Sequence, residues 1–579
     1  MALDFTPHRE PLCSSLSAVL IDNLLKIGPV FGTTDGSKEM LARMTSLFIS
    51  VTMFPTTLAI DCGIYAGKEL INRSIAPFAA NPEIYRNDAD RCREIAMKCL
   101  RGLAVFPAGI LYRDIVSNHF LPETHHRAEQ EGRGLIQPTG GLYQCWGDIR
   151  KPVDENGLQL IVEEARKQNK TISIAGAGFS QGKQIMPSGE NSIHISMDSF
   201  NRVDVNAQNM TAIVGAGATW SQIQNEVDRH RLAVRVMQAS NVFSVGGSLS
   251  VNCHGWDHIA GTLGNTVNWI RIVDPTGHIQ KITPDDELFG YVLAGWGMFG
   301  IIVDAEIKLT NNEVLFDHSK EVEIDDYVNY FTEHVMNNPL VKMHLCRLSL
   351  TPGALLQTAI AQNYTSSTEK TVTDDLKDEP PRGTFMDRIM MQVVRNSPMA
   401  RALWWKREMA NLQQIKKSTR NEIMRPPINA VFATNSISRT EWLQEYFIPA
   451  EKLATFIKFL GSVLDDNDVA LFNASIRFVK QDTHSLLGYA TEGDRFAVVL
   501  FFSQSLNEKE IDKTQLWIRK VIDYLKEIKG TFYLSYGHFA TKDQVRASYP
   551  KWKAAMEFKK TYDPEGIFSN GLYEDYFKE

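Results

Sequence analysis

The chain has little that would serve a metal or a disulfide. Its 579 residues carry seven cysteines: Cys13, Cys62, Cys92, Cys99, Cys145, Cys253 and Cys346. No two form a CxxC pair and none keeps a Cys/His ligand spacing. An odd, scattered set fits free thiols in a reducing compartment. Positive charge is also short: 61 Lys and Arg against 68 Asp and Glu give a net charge of −7. That excludes the electrostatic footprint of a nucleic-acid binder, so no nucleic-acid partner is expected. The first residues lack a basic segment followed by an apolar core, so no secretory signal is read and a cytoplasmic protein is expected. Long apolar runs are missing as well. Residues 44–60 are uncharged for 17 positions, but six are Ser or Thr and Pro55 interrupts them. With the shorter apolar patch at 102–112, residues 40–115 admit two readings: a helical extension packed on the main body, or a segment touching a membrane.

What is present is a change of texture. Residues 1–135 carry helical phrases such as 88–100 and no evident chemistry. From about residue 140, strand and helix alternate. Helical spacing is read over 158–167 and 219–230, the latter with Trp220, Ile223 and Val227 on one side. Strands are expected at 171–175, 192–197, 211–214 and 269–273, with a turn at Asp274-Pro-Thr-Gly-His. The length requires more than one core. Residues 364–383, polar and Pro-containing, read as an exposed loop. Residues 385–417 read as one long helix, whose arginines and lysines beside Trp404 and Trp405 suit either a solvated basic face over a core contact or an anionic membrane surface.

Four glycine clusters stand out within about 130 residues: Ala175-Gly-Ala-Gly-Phe-Ser-Gln-Gly, Val214-Gly-Ala-Gly-Ala-Thr-Trp, Ser244-Val-Gly-Gly-Ser and Leu293-Ala-Gly-Trp-Gly-Met-Phe-Gly. Each is expected at a strand–helix junction. Successive unobstructed N–H groups make an anion-binding concavity, so the first cluster suits a phosphate. Four such clusters suit one extended ligand, such as a dinucleotide, lying along bare backbone. The spacing is neither a Rossmann fingerprint nor a Walker A loop.

These motifs, with Asn252-Cys-His-Gly and Gly295-Trp-Gly-Met-Phe-Gly-Ile-Ile, resemble the FAD-binding domain of the vanillyl-alcohol oxidase / p-cresol methylhydroxylase (PCMH-type) flavoproteins. The resemblance covers about 140–310. It implies an α+β fold: a two-subdomain FAD-binding domain at 136–312, an α+β substrate (cap) domain at 313–545, and a segment at 546–579 returning to the FAD domain, behind a helical extension at 1–135. It further implies that Gly176, Ala177, Gly178, Phe179, Ser180 and Gln181 cradle the pyrophosphate. Gly246, Gly247, Ser248, Asn252, His254 and Gly255 would line the rest of the FAD path, with Ile302 towards the adenine. His254 has two readings, a hydrogen-bonded histidine beside the cofactor or a proton-transfer group. Many members carry a histidine, bonded to the flavin, where this chain has Phe179. Phenylalanine has no nucleophilic atom, and no cysteine lies between Met237 and Gly247, so FAD held non-covalently is expected.

The later half resembles the aldonolactone/alditol oxidase and decaprenylphosphoryl-ribose oxidase branches. Leu443-Gln-Glu-Tyr-Phe-Ile-Pro matches the strand opening the second half of the substrate domain, most of its side chains being read as plain sheet core. Asn473-Ala-Ser-Ile-Arg matches the strand presenting Glu-x-Arg to substrate. Ser475 replaces the glutamate and Arg477 is kept. Tyr536-Gly-His-Phe matches a Trp-Gly-Lys turn, with His538 at the lysine. The resemblance implies hydride removal from a hydroxyl-bearing carbon of a small-molecule sugar, polyol, aldonolactone or sugar-lipid. Arg477 would be the cation, and His538 or Tyr536 the base. His344 and Arg347, read as alternating on one strand, are further candidates to face the pocket. Two rivals stay open: a carbon–carbon double-bond reductase on the same scaffold, and an FAD-binding protein whose catalytic residues have drifted. Nothing in the residues selects oxygen, a quinone or a protein as electron acceptor.

Overall fold

The computed structural model describes residues 132–351, 354–366, 398–425 and 439–579. The expected extension over 1–135, with its 40–115 stretch, lies outside the described residues apart from its last four, which are strand and not helix. So do 367–383 of the expected loop and 385–397 of the expected long helix. Apart from 398–400, the described residues fall in one compact unit, His125–Arg382 with Arg401–Glu579.

Gly132–Ile136 (β1), Cys145–Arg150 (β2), Thr171–Ala175 (β3) and Ser192–Ser196 (β4) form a sheet ordered β1-β2-β4-β3. The helix Glu155–Gln168 (α1) crosses between β2 and β3, which both run parallel to β4. Asp154 caps it by accepting the Gly157 N–H, and Asn169 ends it at φ 53°. Such a cap contributes roughly 1 kcal/mol. Leu158, Ile161, Val162 and Ala165, spaced at helical period, are buried against the sheet.

A second, antiparallel sheet holds Val203–Asn206 (β5), Thr211–Gly215 (β6), Leu232–Val234 (β7), Val267–Val273 (β8), Ile279–Ile282 (β9) and Ile301–Asn311 (β10). Its order is β5-β6-β10-β8-β9, with β7 also on β10. Trp220–Asp228 (α2) starts on a capping box between Thr219 and Gln222. Three of the four glycine clusters sit at element junctions as expected. The third does not: Gly246 and Gly247 lie inside the short helix Val245–Ser250 (α3).

The third sheet is antiparallel and eight-stranded among the described residues. Its strands are Val314–Glu323 (β11), Val341–Leu348 (β12), Thr358–Ser366 (β13), Lys417–Thr419 (β14), Arg439–Ile448 (β15), Ala470–Val479 (β16), Arg495–Ser505 (β17) and Thr531–Phe532 (β18). The order is β14-β11-β13-β12-β16-β17-β15-β18. One face is covered by Tyr327–Phe331 (α4), Leu453–Asp466 (α6) and Glu508–Glu527 (α7), through contacts such as Tyr446 on Phe456 and Phe502 on Trp517. The other faces the segments around Gln181 and His254 and Pro398–Leu412 (α5), whose Leu412 carbonyl accepts the Ser319 hydroxyl.

The expected helix to Lys417 thus stops at Leu412, because 417–419 gains a strand partner in β11. Trp405 is buried in the core, which removes it from any surface role. Tyr364–Ser366, expected to open a loop, instead extend β13. The chain end returns to β3, where the Ile172 N–H donates to Ile567 O at 2.6 Å and the Ser569 N–H to Ile172 O. Lys559, from Trp552–Tyr562 (α8), is buried beside Asp563 and donates to Met298 O. No helix among the described residues is long and apolar enough to cross a membrane.

Candidate functional site: a glycine cradle and a buried carboxylate

The β-branched strand β3 ends at Ala175 and releases the chain into Gly176-Ala-Gly-Phe-Ser-Gln. A Cβ on Gly176 would collide with Ser244 Oγ, which accepts the Ala177 N–H at 3.0 Å. Gly178 sits at φ +74°, a backbone that favours glycine, and a Cβ there would meet nothing within 4 Å. Thr139 pins the outer side of the turn, its hydroxyl donating to Gly178 O and its N–H to Ser180 O. Among the described residues, the N–H groups of Gly178, Phe179, Ser180 and Gln181 make no hydrogen bond. Four free amides around bare backbone, with open room at Gly178, fit the diphosphate of a dinucleotide. Phe179 stacks edge-on to Phe243 at 5.8 Å.

The remaining cradle residues divide into those that shape it and those used internally. Gly246 packs against Ala216, and a Cβ on Gly255 would come within 2.7 Å of Met237 O. Ile302 is buried on β10 opposite Ile272. The Ser248 hydroxyl is consumed by Ser244 O, Gln238 and the Trp220 indole N–H. Asn252, at φ 45°, accepts the Gly264 N–H and donates to Asp482 at 2.8 Å and to Thr262, so its amide is a strut. Gln181 bridges to β15, donating to Glu441 O and accepting the Leu443 N–H.

That bridge brings the cradle to the substrate sheet. Glu445, on β15, is buried there. His254 Nε2 lies 2.6 Å from Glu445 Oε1, and the Tyr536 hydroxyl donates to Oε2 at 3.1 Å. Burial alone would raise the Glu445 carboxyl. His254, Arg477 and the Tyr536 hydrogen bond outweigh it and hold the group below its ordinary value, ionised. Burial, then Glu445, pushes the Tyr536 phenol well above its ordinary value, so it stays a donor. Two further polar atoms here are buried without a partner, His254 Nδ1 and Arg477 Nε. The structure therefore gathers Tyr536, Arg477 and His254 round a carboxylate that sequence reasoning had left in the sheet core. The signal was there: one acidic residue in the otherwise uncharged and mostly apolar run 443–449, Leu-Gln-Glu-Tyr-Phe-Ile-Pro.

His538 is not part of this group. Its Nε2 accepts the Lys183 N–H at 3.0 Å and its Nδ1 lies 2.9 Å from Asp575, which Lys183 Nζ also reaches at 2.9 Å. Both ring nitrogens are spoken for, and burial lowers the imidazole against the opposing pull of Asp575. His344 and Arg347, three positions apart, point to opposite faces of β12. His344 bonds Tyr327 and Asn363 on the α4 side, while Arg347 pairs with Glu408 of α5.

Comparisons with known proteins match both the glycine-rich half and the substrate-sheet half of the chain. Residues 149–283 match the family described as FAD binding domain, and 305–578 the family described as D-arabinono-1,4-lactone oxidase. A decaprenylphosphoryl-beta-D-ribose oxidase of Mycolicibacterium smegmatis is 20% identical, over 72% of this chain and 91% of its own. An L-gulonolactone oxidase of Bos taurus is 20% identical, over 75% and 96%. Among solved structures, a variant of cholesterol oxidase from Brevibacterium sterolicum superposes with a TM-score of 0.59 at 15% identity, over 79% of this chain and 100% of its own, which speaks to the fold alone. With an FAD-binding domain in its first half and a match to the D-arabinono-1,4-lactone oxidase family in its second, the chain is an FAD-linked oxidoreductase of the aldonolactone and sugar-lipid oxidase type.

Proposed function

We propose that the protein oxidises a hydroxyl-bearing carbon of a sugar, polyol, aldonolactone or sugar-lipid, with FAD held non-covalently in the glycine cradle. The observation that carries this reading is the ionised Glu445 at the junction of cradle and substrate sheet, hydrogen-bonded to Tyr536 and beside Arg477. Oxidation of a carbinol releases a hydride and a proton. Bound FAD supplies the two-electron acceptor for the hydride. Glu445 takes the proton, with the Tyr536 hydroxyl between: Tyr536 O accepts the substrate O–H as its own proton passes to Oε2. Arg477 carries no hydrogen bond within the described chain, so its guanidinium is available to the developing oxyanion. His254 holds Glu445 Oε1 and fixes the carboxylate's second oxygen towards Tyr536. Glu445 thus takes over the base role expected of His538 or Tyr536 alone, and supplies the carboxylate that Ser475 lacks.

Non-covalent FAD follows from Phe179, which offers no atom for a flavin bond at that position. The test is recombinant holoenzyme: acid precipitation should leave the flavin in the supernatant, and anaerobic titration with alditols, aldonolactones and aldoses should bleach the yellow band. A flavin that no hydroxylated donor reduces would overturn the reading.

A further inference from the structure

The catalytic face of the third sheet carries a row of buried polar atoms without partners that extends well beyond Glu445. On β16, the alternate residues Asn473, Ser475 and Arg477 each leave one such atom: Oδ1, Oγ and Nε. On β12, Arg347 leaves Nε, and above it Glu408 of α5 leaves Oε2. The register makes this one surface. Arg347 is opposite Ser475, Ser475 opposite Val499, and Val499 opposite Glu445. Directly opposed residues of antiparallel strands share a face. β12 stands three strand spacings from β15, roughly 14 Å along the sheet. One sugar ring does not span that distance.

The Arg347–Glu408 pair is built end-on. Arg347 Nη2 meets Glu408 Oε1 at 2.5 Å, both side chains being less than one-fifth exposed. A donor at Nε and an acceptor at Oε2 are left over, each buried. The pair is neutral overall, so an anionic ligand would meet Glu408 and a cationic one Arg347. Hydroxyls, which give one hydrogen bond and take another, match both leftover atoms at once. The row continues beyond β12. Gln362 on β13 donates to Asp317 Oδ2 of β11 at 3.1 Å, and Asp317 Oδ1 is buried and unpartnered.

We propose that Arg347 and Glu408 form a distal subsite for a vicinal diol on a second part of the same substrate, so that the enzyme selects extended polyhydroxylated donors over single-ring ones. This rests on the carbinol-oxidising reading above. Arg347 and Glu408 are specificity residues here and take no part in proton transfer.

The test uses holoenzyme and matched donors: glucose with maltose, and gluconolactone with lactobionolactone. Anaerobic flavin reduction gives a half-saturating concentration for each. In the wild type, the two-ring donor of a reduced pair should saturate at a concentration roughly tenfold lower, about the worth of one or two net hydrogen bonds. In Arg347→Gln/Glu408→Gln, which removes both charges together and strands neither, the ratio should fall towards one. A merely structural role would shift both donors of a pair alike and leave the ratio intact. A wild type with no two-ring advantage, or a double variant that keeps it, overturns the subsite while leaving the carbinol reading standing. A wild-type flavin reduced by none of the four donors, nor by the wider donor series, overturns both.

Discussion

Glu445 and Ser475 lie on one rung of the third sheet, two strands apart, with Val499 between them. The related motif would place a glutamate at 475. This chain has a hydroxyl there and an ionised carboxylate on the same face of β15. The sheet transmits the equivalence, because residues in register across antiparallel strands project to one side.

Replacing Glu445 with Gln keeps the shape and removes the proton acceptor. Anaerobic flavin reduction by a working donor should slow by roughly 10²- to 10⁴-fold, the range for losing a positioned base. Flavin content should stay near stoichiometric, since Glu445 makes no hydrogen bond with the 176–181 loop and Gln keeps an acceptor for its His254 contact. Stopped-flow reduction traces with absorbance spectra check both. A variant reducing at the wild-type rate would remove Glu445 from the chemistry.

The pH dependence has a definite sign. Glu445 is held below the ordinary carboxylate value, as His254, Arg477 and Tyr536 together outweigh burial. The base is competent when ionised, so kcat/KM should hold as pH falls to the ordinary carboxylate value of about 4.5 and drop only below it. Stability follows the same direction: a depressed carboxylate stabilises the fold above its unfolded value, and that contribution disappears as pH falls through the folded one. Tyr536→Phe removes one of the hydrogen bonds that lower the group. The acid limb should then move to higher pH, which a pH–rate profile resolves.

Much of the cradle's backbone was legible because it is written in closely spaced glycines. Gly178 at positive φ, and Gly176 against Ser244, are positions where only one residue type serves, so the chain must declare them. The substrate half was legible as strands around 443–448 and 473–479 through their resemblance to the strands of the related oxidases, and both lie in the third sheet. Glu445 was not legible, because its environment is assembled from the 252–255 segment, β16 and the 533–538 turn, and one letter in a strand does not reveal who faces it. The same reason explains His538. Its place in a matching turn suggested chemistry, yet the partners that occupy its ring, Lys183 and Asp575, lie far away in sequence. His344 and Arg347 could not both face the pocket, since an offset of three puts two residues on opposite faces of a strand, and only Arg347 shares the face of Glu445.

Gly176→Ala and Gly178→Ala test the cradle separately. The first places a methyl into Ser244 Oγ and must displace the hydroxyl that holds the Ala177 N–H. The second strains a φ of +74° and projects its methyl into the open side of the loop. Both purified variants should carry less flavin than wild type, with Gly176→Ala also melting at a lower temperature. Flavin-to-protein absorbance ratios and thermal melts distinguish them. Full flavin occupancy in both would move the cofactor away from this loop.

His538→Gln should behave as a structural lesion. Both imidazole nitrogens are engaged, Nε2 by the Lys183 N–H and Nδ1 by Asp575, and the ring is buried between Tyr143 and Tyr576. Losing these partners should cost roughly 1–3 kcal/mol, the penalty for stranding buried polar groups. Because burial lowers the imidazole despite Asp575, neutral His538 stabilises the fold above its unfolded value near 6.5, and that contribution is lost as pH falls through the depressed one. The wild-type advantage over the variant should therefore shrink on acidification, read from denaturant melts at several pH values. The limiting rate of flavin reduction should fall far less than in Glu445→Gln. An equal loss of rate in both variants would return His538 to the proton path.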